Sequence, residues 1–281
     1  MSPAPLSDCA KYVREHDNDR FLSVLFAPAD YREDLFALYA FNLELSKIRE
    51  TVSEPLIGRM RLQFWRDAVP QMVDGAPPSH YVAEALAGAV KMHGLSAAYL
   101  NEIIDTRETD LDDIPPKDLD AVIGYAEGTS SSLIKLAFGI LGVDGPESEV
   151  CAKDAGIAIA LIGLVRAIPY MSSTGRVTLP TNLCRDAGLD PETPLQWPTN
   201  PDVSLITQPM LARAAQHLDA ARITSKALPR SAVPALLPLS LAALYLKRLQ
   251  SLGGDPGLFA ARTPGVSRHV TMFWRSLVGR P

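Results

Sequence analysis

The sequence predicts an all-α protein, and two observations carry this prediction. Apolar residues recur with helical spacing along most of the chain, and no convincing strand hairpin interrupts them. Breaks rich in proline and glycine separate the helical stretches, as at residues 74–78 and 142–146. The chain has 281 residues and no internal repeat, so we expect one domain that spans residues 1–281.

The two ends of the chain are expected to differ from its centre. Residues 1–18 are a candidate flexible N-terminus, and residues 252–281 are expected to form a C-terminal extension. The first residues contain no basic region followed by an apolar run, so we expect no cleaved signal peptide.

The first long helix is predicted to span residues 30–50, with Asp30 as its N-cap after Pro28. Seven of its residues keep helical spacing on one face: Leu35, Leu38, Tyr39, Asn42, Leu45, Ser46 and Arg49. The next helix is predicted over residues 54–73. Its apolar stripe is expected to consist of Ile57, Met60, Phe64, Ala68 and Met72.

The remaining helices follow from the same periodicity and from the breaks between them. They are predicted at residues 80–92, 96–110, 117–141, 147–170, 203–227, 229–249 and 263–278. Residues 188–201 contain four prolines and should form a loop. The most apolar windows, 155–165 and 231–246, are interpreted as core helices; the second is also a candidate for contact with a membrane surface.

Composition and the placement of charged residues, cysteines and histidines argue against two kinds of site, one for nucleic acid and one for a metal ion held by cysteine or histidine. The 27 basic and 32 acidic side chains give a net charge of −5 without a basic stripe, which argues against nucleic-acid binding. The three cysteines and five histidines are scattered and form no metal-ligand pair. We interpret the cysteines as reduced thiols of a cytoplasmic protein.

Two stretches, AFNLELSKIRE at residues 40–50 and VRAIPYM at residues 165–171, carry the functional signal. Together they resemble the paired acidic motifs of the squalene/phytoene synthase family. In that family two aspartates at i and i+4 on each of two facing helices hold Mg²⁺, which holds a prenyl diphosphate. The matching positions here are Ser46, Glu50, Ala167 and Met171, so only one carboxylate remains.

Further family-like segments occur in the expected order from about residue 19 to residue 249. They are LYAF at 38–41, FWRD at 64–67, DL at 110–111, Tyr125, and GRVTLP at 175–180. The resemblance implies an isoprenoid-synthase-like helical bundle around a central cavity. It also implies that the four motif positions point into that cavity from opposite sides.

The motif positions fit the usual chemistry of the family poorly. Ionisation of an allylic diphosphate leaves a highly charged pyrophosphate, which clustered Mg²⁺ ions must neutralise. Mg²⁺ prefers oxygen ligands, but the side chains of Ala167 and Met171 supply none, and Ser46 is a poor ligand. We therefore predict no catalytic residues, no metal site and no cofactor; Mg²⁺ would be needed only by an active transferase.

Five residues are candidates for a ligand pocket: Lys47, Arg49, Tyr125, Arg166 and Arg176. Each has a simpler interpretation as well. Lys47, Arg49 and Glu50 fit a solvated helix face, and Tyr125, like Trp65, fits a core aromatic. Arg166 lies in an apolar run, so it should face a cavity or pair with Glu44 or Glu50.

The acidic run at residues 105–113 has two interpretations as well. It is either a metal cluster or a solvated helix end before two prolines, and we favour the solvated helix end.

Four segments, at residues 40–45, 52–54, 57–65 and 164–170, resemble one branch of the family, which acts in the assembly of respiratory complex I. This resemblance implies a bacterial relative that is non-catalytic and has complex I subunits or assembly proteins as partners. A location in the cytoplasm, with peripheral contact at the inner membrane, would fit this role. One alternative is a prenyl-diphosphate condensing transferase with altered diphosphate binding, in which Lys47, Arg49 and Arg166 bind the diphosphate directly. A second alternative is a module that binds an isoprenoid or another lipid.

Overall fold

The computed structural model describes residues 5–112, 114–191, 203–260 and 267–279. Every regular element in these ranges is helical, which confirms the predicted all-α class. Buried apolar side chains from α1 to α15, the helices defined below, form one continuous core.

The N-terminal helices pack against this core. Helix α1 covers Asp8–His16 and begins at Ser7, whose hydroxyl oxygen accepts the Ala10 N–H at 3.1 Å. Its residues Cys9, Ala10 and Val13 are buried. Helix α2 covers Asn18–Val24. From residue 8 onward, the candidate flexible N-terminus is therefore helical and packed.

Helix α3 covers Ala29–Ser46 and has Pro28 at its N-cap position. The prediction that Asp30 is the N-cap is therefore wrong. Asp30 lies in the first turn, where its carboxylate still suits the positive end of the helix dipole. The helix ends at Lys47, and the short helix α4 follows at Ile48–Thr51. Ser46 and Glu50 thus lie on two helical segments rather than on one.

Helix α5 covers Pro55–Val73, but the predicted apolar stripe is wrong in its first half. Ile57, Met60 and Phe64 are exposed. The buried face of this helix consists of Gly58, Leu62, Trp65, Ala68, Val69 and Met72. The predicted stripe and the observed one both follow helical spacing, and they share Ala68 and Met72 in the C-terminal half of α5. Periodicity alone therefore does not distinguish them. Packing against α6 and α7 selects the stripe that contains Trp65.

The other helices agree with their predicted positions to within a few residues. They are α6 (Tyr81–His93), α7 (Ala97–Glu108), α8 (Leu119–Ala126), α9 (Ser132–Ile140), α10 (Pro146–Ser173), α11 (Thr181–Asp186), α12 (Val203–Thr224), α13 (Val233–Ser251), α14 (Pro256–Ala260) and α15 (Ser267–Val278). The short helices α11 and α14 were not predicted. The predicted loop at 188–201 lies outside the described residues from position 192 onward, and residues 188–191 are not helical.

One π-helical turn at Glu127–Ser131 joins α8 to α9. It approaches both neighbouring helices closely. A Cβ atom added to Gly156 of α10 would lie 2.3 Å from the Ser131 nitrogen, and one added to Gly128 would lie 2.2 Å from the Thr106 hydroxyl oxygen of α7. These two glycines therefore let the π turn fit between α7 and α10, and α8 with Tyr125 leads directly into this turn.

Helices α10 and α13 are long, apolar helices that contribute to the core. By length and composition both could cross a membrane, although 44% of the apolar window of α10 and 67% of that of α13 are buried inside the protein. Leu161 and Val165 of α10 and Leu237 and Leu239 of α13 have essentially no exposed surface. This burial agrees with the interpretation as core helices, and membrane contact stays a prediction.

Candidate functional site

A cavity of about 930 Å³ opens among the ends of several helices. The end of α3, helix α4, the end of α7, helix α8 and the end of α10 surround it, together with residues 175–178. Much of its wall is apolar and consists of Ile114, Pro115, Pro116, Ala121, Val122, Leu164, Met171 and Val177. Its volume falls in the range of about 300–1,000 Å³ that is typical of small-molecule sites.

Three of the four positions that match the acidic motifs line this cavity: Ser46, Glu50 and Met171. Ala167 does not line it, although Leu164 and Met171 on the same helix do. The Ser46 hydroxyl donates to the Leu43 carbonyl oxygen at 3.1 Å, which turns its proton toward the backbone of its own helix. Glu50 is exposed and forms no ion pair within the described parts of the chain.

A charged network on the α7–α8 side of the cavity joins Arg107, Asp110 and Tyr125. Arg107 Nη1 donates to the Tyr125 hydroxyl oxygen at 2.6 Å and to Asp110 Oδ2 at 3.2 Å. The Tyr125 hydroxyl donates to the same Asp110 oxygen at 3.1 Å. Burial raises the pKa of Tyr125; the nearby Arg107 lowers it, and Asp110 raises it further. The phenol therefore keeps its proton and remains a donor to Asp110.

Arg176 is the second guanidinium in the cavity. Its Nη2 lies 3.4 Å from the Asp110 carbonyl oxygen, and its Nη1 lies 3.7 Å from the Met171 sulfur. The structure therefore brings Tyr125 and Arg176 of the predicted pocket together with Asp110. It adds Arg107, which the sequence prediction missed because this arginine alternates with acids, as on a solvated helix face.

The other three predicted pocket cations do not line the cavity. Lys47 Nζ lies 5.5 Å from the centre of the Tyr12 ring. Arg166 stacks on Tyr245, with its guanidinium carbon 3.9 Å from the ring centre. Its Nε is buried without a hydrogen-bond partner among the described residues. Arg49 likewise lies outside the cavity lining.

The expectation that Arg166 faces a cavity or pairs with Glu44 or Glu50 is wrong. An aromatic face from α13 supplies a cation–π contact in place of the expected carboxylate. Phe259 also lies 5.6 Å from the Arg166 guanidinium. Glu44 lies within 3.5 Å of the Tyr81 hydroxyl, which donates to it.

The acidic run at residues 105–113, which begins in the last turn of α7, forms ion pairs with α5. Asp105 and Glu108 pair with Arg66, and Asp112 pairs with Arg59. Within the described ranges no group of three or more histidine, cysteine, aspartate or glutamate side chains is arranged to hold a metal ion. These ion pairs fit the solvated interpretation of the run, although Asp105 and Asp110 also line the cavity. Trp65 is a core aromatic, as interpreted, and its ring centre lies 5.2 Å from that of Phe41.

The cavity residues do not fit the Mg²⁺ site that the family motifs describe. Met171 offers no oxygen on the α10 side. On the other side Asp110 Oδ2 already accepts bonds from Arg107 and Tyr125. Among the described lining residues, Glu50 alone presents a carboxylate without such partners, and one carboxylate is a weak anchor for ions that must neutralise pyrophosphate.

This helical bundle and cavity define the class of the protein. The squalene/phytoene synthase family model matches residues 13–269, so the chain belongs to this family. The fold is similar to that of a dehydrosqualene synthase crystallised with a ligand, with a TM-score of 0.79 and 15% identity over 96% of this chain and 94% of that one. A squalene synthase from Alicyclobacillus acidocaldarius gives a TM-score of 0.77 and 16% identity over 88% and 94% of the two chains.

The relatives of this chain include two kinds of protein. The chain is 36% identical to NADH dehydrogenase (ubiquinone) complex I, assembly factor 6, from Bos taurus, over 88% of this chain and 74% of that protein. The human protein of the same name is 35% identical over the same shares. A presqualene diphosphate synthase from Rhodopseudomonas palustris is 26% identical, over 87% of this chain and 86% of that protein.

Proposed function

We propose that this protein acts in the assembly of respiratory complex I and transfers no prenyl group. The similarity to complex I assembly factor 6 of mammals supports the first half of the proposal. The observation that carries the second half is Met171, which occupies the cavity where the family motif has a carboxylate. The proposal includes complex I subunits or assembly proteins as partners and a cytoplasmic location with peripheral contact at the inner membrane.

The electrostatics of the cavity support the absence of prenyl transfer. Its lining contains three carboxylates, Glu50, Asp105 and Asp110, and two guanidiniums, Arg107 and Arg176. Without clustered Mg²⁺ this set does not neutralise a departing pyrophosphate. Guanidiniums that bind the intact diphosphate equally well would also stabilise the ground state, so they would not accelerate its ionisation.

A deletion strain of the source organism tests the proposal with two readouts. We expect the amount of assembled complex I and its NADH:quinone activity to fall, while the pools of squalene and carotenoids stay unchanged. The wild-type gene should restore complex I. The double variant Ala167→Asp/Met171→Asp should not complement better than wild type, because the proposed function does not use these carboxylates.

A second candidate function is prenyl-diphosphate condensation with altered diphosphate binding. The similarity to presqualene diphosphate synthase favours it, as does the presence of Arg107 and Arg176 in the cavity. The three cations that the sequence suggests for direct diphosphate binding, Lys47, Arg49 and Arg166, lie outside the cavity lining. Unchanged complex I together with altered isoprenoid products in the deletion strain would favour this candidate.

A further inference from the structure

We propose that the cavity is a binding site for an uncharged lipid with a long apolar chain and a hydroxyl or carbonyl head. The shape of the site is the first argument. Its volume of about 930 Å³ is large enough for such a chain. Leu164, Val122, Ile114 and Val177 supply an apolar wall, against which burial of an alkyl or prenyl chain is favourable.

The second argument concerns the charges that would meet the head of the lipid. Arg107 and Asp110 neutralise each other across 3.2 Å, and Tyr125 bonds to both. Asp105 is neutralised from outside the cavity by Arg66, whose Nε lies 2.8 Å from Asp105 Oδ1. Glu50 adds an exposed negative charge that no ion pair balances within the described residues. Arg176 adds one positive charge, so the three carboxylates and two guanidiniums of the lining sum to −1, and a highly charged anion meets no net positive charge there.

The third argument concerns hydrogen bonds. The lining offers the Thr178 hydroxyl as a donor and acceptor. No hydrogen bond engages the Thr178 hydroxyl within the described ranges. A hydroxyl or carbonyl oxygen bonds to this hydroxyl without bringing a charge into the cavity. An uncharged head is therefore the chemistry that this lining accepts best.

Calorimetric titration of the full chain tests the proposal with farnesol, an uncharged prenyl alcohol, as the probe. Farnesyl diphosphate is titrated in parallel, once with EDTA and once with Mg²⁺. We expect farnesol to bind with one site per chain. We expect farnesyl diphosphate to bind about tenfold more weakly or worse, and Mg²⁺ to leave its affinity unchanged.

A cavity-filling variant shows whether the probe occupies this cavity. Leu164→Trp should weaken farnesol binding by about tenfold or more, because the indole takes up the space for the chain. Leu205→Trp makes the same change at an exposed site on α12 and should bind farnesol like wild type. If Leu164→Trp does not fold, Val177→Trp fills the cavity from the segment after α10.

Three outcomes would overturn the proposal. The first is diphosphate binding as tight as farnesol binding, or binding that Mg²⁺ strengthens, since either would mean that the site takes a charged head. The second is farnesol binding that the folded cavity-filling variant leaves unchanged, since this would put the probe on another surface. The third is no measurable farnesol binding by the wild-type chain.

Discussion

The α10 side and the α7–α8 side of the cavity differ in where their charged side chains lie and in how these are paired. The α10 side presents Leu164 and Met171, and its arginine, Arg166, lies against Tyr245 outside the cavity lining. The α7–α8 side keeps a guanidinium and a carboxylate in the lining but closes them into a network with Tyr125. Neither side leaves a set of free carboxylates. On the α10 side the motif positions carry no carboxylate, and on the α7–α8 side the Asp110 carboxylate is paired with Arg107.

The largest effect is expected when the network on the α7–α8 side loses its cation. Arg107→Met leaves Asp110 half-buried with only the Tyr125 hydroxyl, so we expect the free energy of unfolding to fall by about 3 kcal/mol. Arg59→Met is the matched control, because Arg59 pairs with Asp112 at the surface and its removal should cost less than about 1 kcal/mol. Urea unfolding measures both variants. Equal losses would mean that the network does not stabilise the fold.

Removal of one hydroxyl from the same network should cost less. Tyr125→Phe keeps the ring but deprives Arg107 of an acceptor and Asp110 of a donor, so we expect a loss of about 1–2 kcal/mol. Tyr99→Phe removes an exposed hydroxyl that donates to Glu149 at 3.0 Å and should cost about 0.5 kcal/mol or less. A Tyr125→Phe variant as stable as wild type would show that the ion pair between Arg107 and Asp110 stabilises the fold without help from the Tyr125 hydroxyl.

A smaller effect is expected for the arginine of the α10 side. Arg166→Met removes the cation–π contact with Tyr245, but it also removes a buried Nε that lacks a hydrogen-bond partner among the described residues. The two contributions oppose each other, so the free energy of unfolding should change by about 1 kcal/mol or less. Arg107 also has a buried Nε without such a partner, so the two variants differ in the Asp110 carboxylate that Arg107→Met leaves behind, and an equal loss would contradict this difference.

The smallest effect is a dependence on pH. Burial raises the pKa of Tyr125 in the folded protein above its value in the unfolded chain. The contribution of the protonated Tyr125 hydroxyl to stability is fully present below the unfolded pKa of about 10, and it is lost as pH rises through the folded pKa. The stability difference between wild type and Tyr125→Phe should therefore shrink above about pH 10. Unfolding at several alkaline pH values measures it, and a constant difference would contradict the assignment.

Sequence reasoning located the helices better than the contacts between them. The long helix α10 is bounded by glycine and proline signals that are visible in the chain, and its prediction ends within a few residues of the structure. The exposed face of α5 was misassigned because Ile57, Met60 and Phe64 have the same spacing as a buried stripe. Only packing against α6 and α7 distinguishes the two faces.

The candidate site was predictable in part, for a related reason. Ser46, Glu50 and Met171 were found from motif positions, and they line the cavity. The partner of Arg166 is Tyr245, far along the chain, and no local pattern indicates such a contact. Arg107 also escaped prediction, because the charges around it are typical of a solvated helix end and its role depends on Tyr125 from the next helix.

The central claim is that this cavity cannot stabilise a departing pyrophosphate, and pyrophosphate release measures this most directly. Purified protein is incubated with farnesyl diphosphate or geranylgeranyl diphosphate and Mg²⁺, and release is compared with that of Leu164→Trp, whose cavity is filled. We expect no release above that of the filled variant, because Mg²⁺ finds no carboxylate at Ala167 or Met171. Mg²⁺-dependent release by the wild-type chain, abolished in the filled variant, would contradict the account.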